Sequence, residues 1–125
     1  MTEKIKTFED ACEALKIKAS VPEVSALPEK HQKAIIALYK LVIITEALNE
    51  GWQPNWNERD EIKWQPWFEI AASAEKPSGF GFSDGFTDYW STRTLCGSRL
   101  CFKSQTLCRY AIKQFNQLFI DYYLI

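Results

Sequence analysis

The stretch Glu29–Asn49, EKHQKAIIALYKLVIITEALN, sets the architecture of this chain. Ala34, Leu38, Leu41, Thr45 and Leu48 recur at helical spacing. Ile35, Ile36, Val42, Ile43 and Ile44 widen that stripe until only Lys40 interrupts it. A helix apolar on nearly every side is expected to be buried on nearly every side, so this segment reads as the central helix. Its almost continuous apolar part, Ala34–Ile44, is too short to span a bilayer. Its cover is either the chain's own sheet or a second copy in a homodimer. Pro28 suits the first helical position, and Asn49-Glu50-Gly51 supplies a stop with Gly51 as a left-handed cap.

On the N-terminal side, Ser20–Pro28 carries two prolines and reads as a linker. Before it, Thr7-Phe8-Glu9-Asp10 has the pattern of a capped helix start, and Phe8, Cys12 and Leu15 share one face. On the C-terminal side, Gly51–Glu61 reads as a loop ending in a charged turn. Trp64–Ala72 alternates as a strand, Gly79–Ser83 places Phe80 and Phe82 on one face, and Asp84-Gly85 marks a turn. Phe86–Thr94 is a weaker strand. From Gly97, Arg99, Cys101 and Lys103 alternate with Leu100 and Phe102. Ser104 then caps a helix over Gln105–Tyr123 with the stripe Leu107, Ala111, Phe115, Leu118, Phe119 and Tyr122. The expected fold is α+β: two N-terminal helices, a three- or four-stranded antiparallel meander, and a C-terminal helix packed on the sheet, in a single domain covering residues 1–125.

Five Trp, five Tyr and eight Phe make 14% of the 125 residues, more than a core of this size requires, so part of this aromatic area is expected at a contact surface. The formal net charge of -1 opposes a surface that tracks a phosphate backbone along its whole length. The opening MTEKIKTFED lacks an apolar signal stretch, which leads to the expectation of a cytoplasmic chain without membrane contact, its four cysteines reduced.

Individual residues carry little catalytic signal. His31 has no nucleophile or carboxylate arranged around it beyond Glu29 and reads as solvated. Cys96, Cys101 and Cys108 lack the tight knuckle spacing of a zinc site, and the position of Cys108 near a helix start offers a route to a lowered thiol pKa. The glycines of Gly79–Gly85 lead into no helix, as a phosphate loop would require. The acids Glu58, Asp60, Glu61, Asp84 and Asp88 follow no metal-loop spacing and read as a solvated charged surface. No catalytic residue, metal or cofactor is expected.

Two surfaces stand out. Trp52, Trp56, Trp64 and Trp67 lie within sixteen residues, and Phe80, Phe82, Phe86 and Trp90 follow in the next segment; this set suits a protein contact. Arg93, Arg99, Lys103, Arg109 and Lys113, with Tyr89 and Tyr110 among them, form a stretch without acids and suit single-stranded nucleic acid, where rings stack on bases and cations hold phosphates.

The phrases KTFEDACEAL (6–15), LPEKHQKAIIALYKLVIITEALNEGW (27–52), WFEI (67–70) and GSRLCFKSQTLCRYAIKQFNQLF (97–119) resemble a family of small phage, prophage and mobile-element proteins of gut Bacteroidetes, over almost the whole chain. The resemblance implies a setting, cargo of a phage or mobile element, and no catalytic set to place on these positions. The sequence thus leads to a non-enzymatic accessory protein acting by protein–protein contact through its aromatic loops. Single-stranded nucleic acid binding is the alternative, and a small enzyme uniting His31, Glu69, Asp84 or Cys108 is a third.

Overall fold

A computed structural model describes residues 4–58, 60–66, 87–88 and 99–123. It contains α1 (Phe8–Leu15), α2 (Glu29–Leu48), β1 (Gln65–Pro66), β2 (Thr87–Asp88), α3 (Gln105–Gln114) and α4 (Asn116–Tyr123).

Helix α1 starts where Thr7 predicts it. The Thr7 hydroxyl accepts the Asp10 N–H at 3.1 Å, and the Asp10 carboxylate accepts the N–H groups of Thr7 and Lys6, which satisfies the donors of the first turn reciprocally. Phe8, Ala11 and Cys12 are buried against α2. Lys40, the one charged residue within Ala34–Ile44, lies over the Phe8 ring at 5.5 Å and so joins the two helices.

Helix α2 is buried along its second half, through Leu41, Ile43, Ile44, Thr45, Ala47 and Leu48. The all-round burial expected of it does not extend to its first turns, where Ile35 stays 39% exposed. It ends at Asn49, after which Glu50 and Gly51 both adopt positive φ, 49° and 88°. A side chain at Gly51 would meet no atom within 4 Å, so glycine serves that position through its backbone conformation.

The C-terminal helix is two helices. At Phe115 (φ -112°, ψ 30°) the chain leaves α3, and α4 restarts one residue later. The break redirects the apolar stripe: α3 lies against β1 and β2, and α4 runs against α2. Lys33 and Asp121 pair across the α2–α4 seam at 3.4 Å. The N-terminal segment is tied to α3 by the Tyr110 hydroxyl, which donates to the Ile5 carbonyl at 2.6 Å, and by the Gln114 amide, which donates to the Lys6 carbonyl at 3.0 Å.

The expected α+β meander is corrected. Among the described residues four helices dominate, and the β structure is one antiparallel pair of two-residue strands, Gln65 opposite Asp88 and Pro66 opposite Thr87. Most of the expected strands Trp64–Ala72 and Phe86–Thr94, and all of Gly79–Ser83, lie outside the described residues. The segment Arg99–Lys103 shows the physical reason for the difference. Leu100 and Phe102 point inward as their alternation predicts, and Phe102 exchanges both backbone hydrogen bonds with Trp64. The opposite edge, where a further strand would pair, is occupied by a side chain. Buried Asn49 donates its amide N–H to the Cys101 carbonyl at 2.9 Å and accepts the Lys103 N–H at 3.1 Å. Asn49 thus satisfies the groups a ladder would use.

Candidate functional site

The end of α2 and the loop that follows it enclose a hollow of about 620 Å³. Val42, Thr45, Glu46 and Asn49, at positions i, i+3, i+4 and i+7 on one face of the helix end, form its floor. Trp52, Gln53, Pro54 and Trp56 make one wall, and Arg99 and Cys101 belong to the other. The volume falls in the range that accommodates a small molecule or part of an extended peptide.

The walls have identifiable supports. The Trp52 backbone N–H donates to the Asn49 carbonyl at 3.0 Å, so the residue that ends α2 also fixes the main chain that carries the first indole. Trp56 stands in a tight turn: the Asn57 N–H donates to the Asn55 side-chain oxygen at 3.0 Å and the Glu58 N–H to the Asn55 carbonyl at 3.1 Å. Both indoles are half-buried, and among the described residues neither stacks on another aromatic ring. Glu46 and Arg99 are exposed, and among the described residues neither forms an ion pair. Arg99 also borders a smaller hollow of about 290 Å³ with Leu38, Tyr122 and Tyr123.

The structure therefore draws together members of two separate sequence sets: Trp52 and Trp56 from the aromatic set and Arg99 from the basic set. Trp64 sits apart from this hollow, half-buried against the core and bridged to Phe102. Lys103, Arg109 and Lys113 are exposed. Tyr110 is committed to the fold through its bond to Ile5 and an edge-on contact with Phe115 at 6.4 Å. Trp67, Phe80, Phe82, Phe86, Tyr89, Trp90 and Arg93 lie outside the described residues.

Sequence reasoning took Asn49 only as part of a helix stop and did not single out Lys63. Lys63 is 1% exposed. Its ammonium donates to the carbonyls of Glu58 and Glu61 at 3.0 and 3.2 Å, pairs with the Glu61 carboxylate at 3.2 Å, and lies over the Trp56 ring at 5.3 Å. The charged turn read as solvated is thus folded around a lysine. An alternating hydropathy pattern does not signal this, because two of the four partners of Lys63 are backbone carbonyls.

Among the described residues no thiol is activated. Cys12, Cys101 and Cys108 are buried and unpaired. Burial pushes Cys101 up to about 11, with Lys63 opposing and Glu61 adding to the shift. Burial, then the neighbouring Cys101, pushes Cys108 up to about 12, so desolvation outweighs the lowering expected from its place near a helix start. Iodoacetamide at about pH 8 is expected to spare both thiols in the folded chain and to alkylate both in urea, read by peptide mass spectrometry. Native-state labelling of either would contradict their burial. Above the ordinary value of 9.0 the unfolded chain loses these protons first. Stability is therefore expected to fall as pH rises from there toward the folded values.

Among the described residues no three His, Cys, Asp or Glu side chains converge as a metal-binding group, and no helix is long and apolar enough to cross a membrane. In comparisons with known proteins, no family model, curated protein or solved structure matches the chain.

Proposed function

We propose that this chain works by binding, and that it captures an extended segment of another protein in the groove between Trp52, Trp56 and Arg99. The observation that carries the reading is the convergence of Trp52, Trp56, Glu46 and Arg99 on one groove. It offers two half-buried indoles without aromatic partners, a carboxylate and a guanidinium without ion pairs among the described residues, and a preset floor. Trp and Arg are the residue types that most often dominate binding energy at protein contacts. A peptide supplies apolar side chains together with charges of both signs, which suits a hollow lined by both Glu46 and Arg99. A polyanion would meet Glu46 in the groove, and the net charge of -1 gives it no general attraction. The resemblance to phage and mobile-element proteins supports a phage or host protein as the source of the segment.

The test is selection of a random linear peptide library on the full chain, with counter-selection on the Trp52→Ala/Trp56→Ala variant. Peptides that need both indoles are expected to emerge, each truncation costing about 2 kcal/mol, or roughly 30-fold in affinity. Enrichment of peptides indifferent to both substitutions would remove the reading. Salt-sensitive binding of a ten-residue thymidine oligonucleotide, lost on Arg99→Gln, would replace it with the nucleic-acid alternative.

A further inference from the structure

The lysine beneath the groove poses a physical question. Burying an ammonium costs several kcal/mol before its interactions repay it, and an unbranched apolar side chain would fill much of the same space without that cost. Among the described residues, the hydrogen bonds, ion pair and ring contact of Lys63 all fall on the stretch 56–61, which carries Trp56. Two go to the carbonyls of Glu58 and Glu61, one to the Glu61 carboxylate, and the last is the indole face itself. The same Glu61 oxygen, Oε1, also accepts the Asn55 N–H at 2.7 Å, directly before Trp56 in the chain. Trp56 is therefore held from behind by the ammonium and along the backbone by the residue on its N-terminal side.

We infer that Lys63 is a positioning residue for the groove, fixing the Trp56 indole as a preset wall before any ligand arrives. The buried ammonium lies over the ring at 5.3 Å, and the same half-buried indole lines the hollow. A wall already in place loses little side-chain freedom on binding, so more of its contact energy appears as affinity. The purpose of that wall rests on the reading of the groove as a binding site. The positioning itself is a property of the unliganded protein and is tested there.

The experiment is ¹⁵N relaxation of the Trp indole N–H groups in the full chain, assigned with Trp52→Phe and Trp56→Phe, without any added ligand. In the unsubstituted protein the Trp56 indole is expected to be as ordered as rigid backbone, with an order parameter of about 0.85. In Lys63→Met it is expected to fall below about 0.6, while Trp52 keeps its value and Lys63→Arg restores Trp56. A purely structural role would loosen Trp52 and Trp56 together, and that outcome overturns the inference. An ordered Trp56 in Lys63→Met overturns it equally. Should Lys63→Met not fold, Glu61→Gln keeps an acceptor for the Asn55 N–H and removes the charge opposite Lys63. Selective loosening of Trp56 in that variant supports the inference, and an unchanged Trp56 overturns it. Loss of peptide binding plays no part in these readouts, so the positioning role and the proposed function fail separately.

Discussion

Phe119→Ala is expected to cost about 3–5 kcal/mol, the largest single-residue loss considered for this chain. Phe119 is 0% exposed and sits in the core where α4 closes on α2. Truncation removes its buried area and leaves a void that the flanking helices, Leu41 and Ile44 of α2 among them, fill only in part. The measurement is urea unfolding of both proteins with the slope held to the same value. Tyr123, 40% exposed on the same helix, provides the control: Tyr123→Ala is expected to cost less than half as much. A loss below about 1 kcal/mol at Phe119 would show that α4 does not seal the core as described.

Asn49→Ala is the second large effect, expected at about 2–5 kcal/mol. The substitution leaves the buried Cys101 carbonyl and the part-buried Lys103 N–H without the amide that pairs them, and each such loss costs about 1–3 kcal/mol at full burial. The damage is local in kind. Hydrogen exchange at the Lys103 amide is expected to accelerate ahead of the α2 amides, because the substitution removes the acceptor of that N–H while the bridge to Trp64 holds the other edge of the segment. Asn49→Asp separates the two bonds: it keeps an acceptor for the Lys103 N–H and turns an oxygen toward the Cys101 carbonyl. It is expected to be less stable than the parent and to recover part of the loss when the carboxyl is protonated. Equal stability of Asn49→Ala and the parent would contradict the clamp.

These two residues also show where the sequence could be read and where it could not. Phe119 belongs to a periodic stripe, and its burial follows from spacing alone. The same holds for Thr7 as a cap, for the Ser20–Pro28 linker and for the long run of α2. Asn49 reads in sequence as a helix stop, which it is. Its larger role depends on partners 52 and 54 positions away, and no local pattern reports them.

The meander failed for the same reason. Alternation over Arg99–Lys103 reported which side chains turn inward but not what pairs the backbone, and a single amide side chain took the place of a strand. Cys101 is buried although it alternates with Leu100 and Phe102, because the outer face of that segment lies against Asn49 and the groove. The break at Phe115 has no glycine or proline to announce it; the gain is that α4 reaches α2. Of the candidate site, the Trp52 and Trp56 wall was legible from ring density beside a loop. Its union with Arg99 and its support by Lys63 arise only from tertiary packing.

The central claim is that the Trp52 and Trp56 indoles serve a ligand and not the core. It is tested most directly by measuring urea stability and affinity for a library-selected peptide side by side on Trp52→Ala/Trp56→Ala. Both rings are half-buried and without aromatic partners among the described residues, so the predicted result is a folded variant with an unchanged unfolding slope and affinity reduced at least 100-fold. Collapse of the fold would place the rings in the core, and a folded variant that binds the peptide as tightly as the parent would place the contact elsewhere; either result contradicts the account.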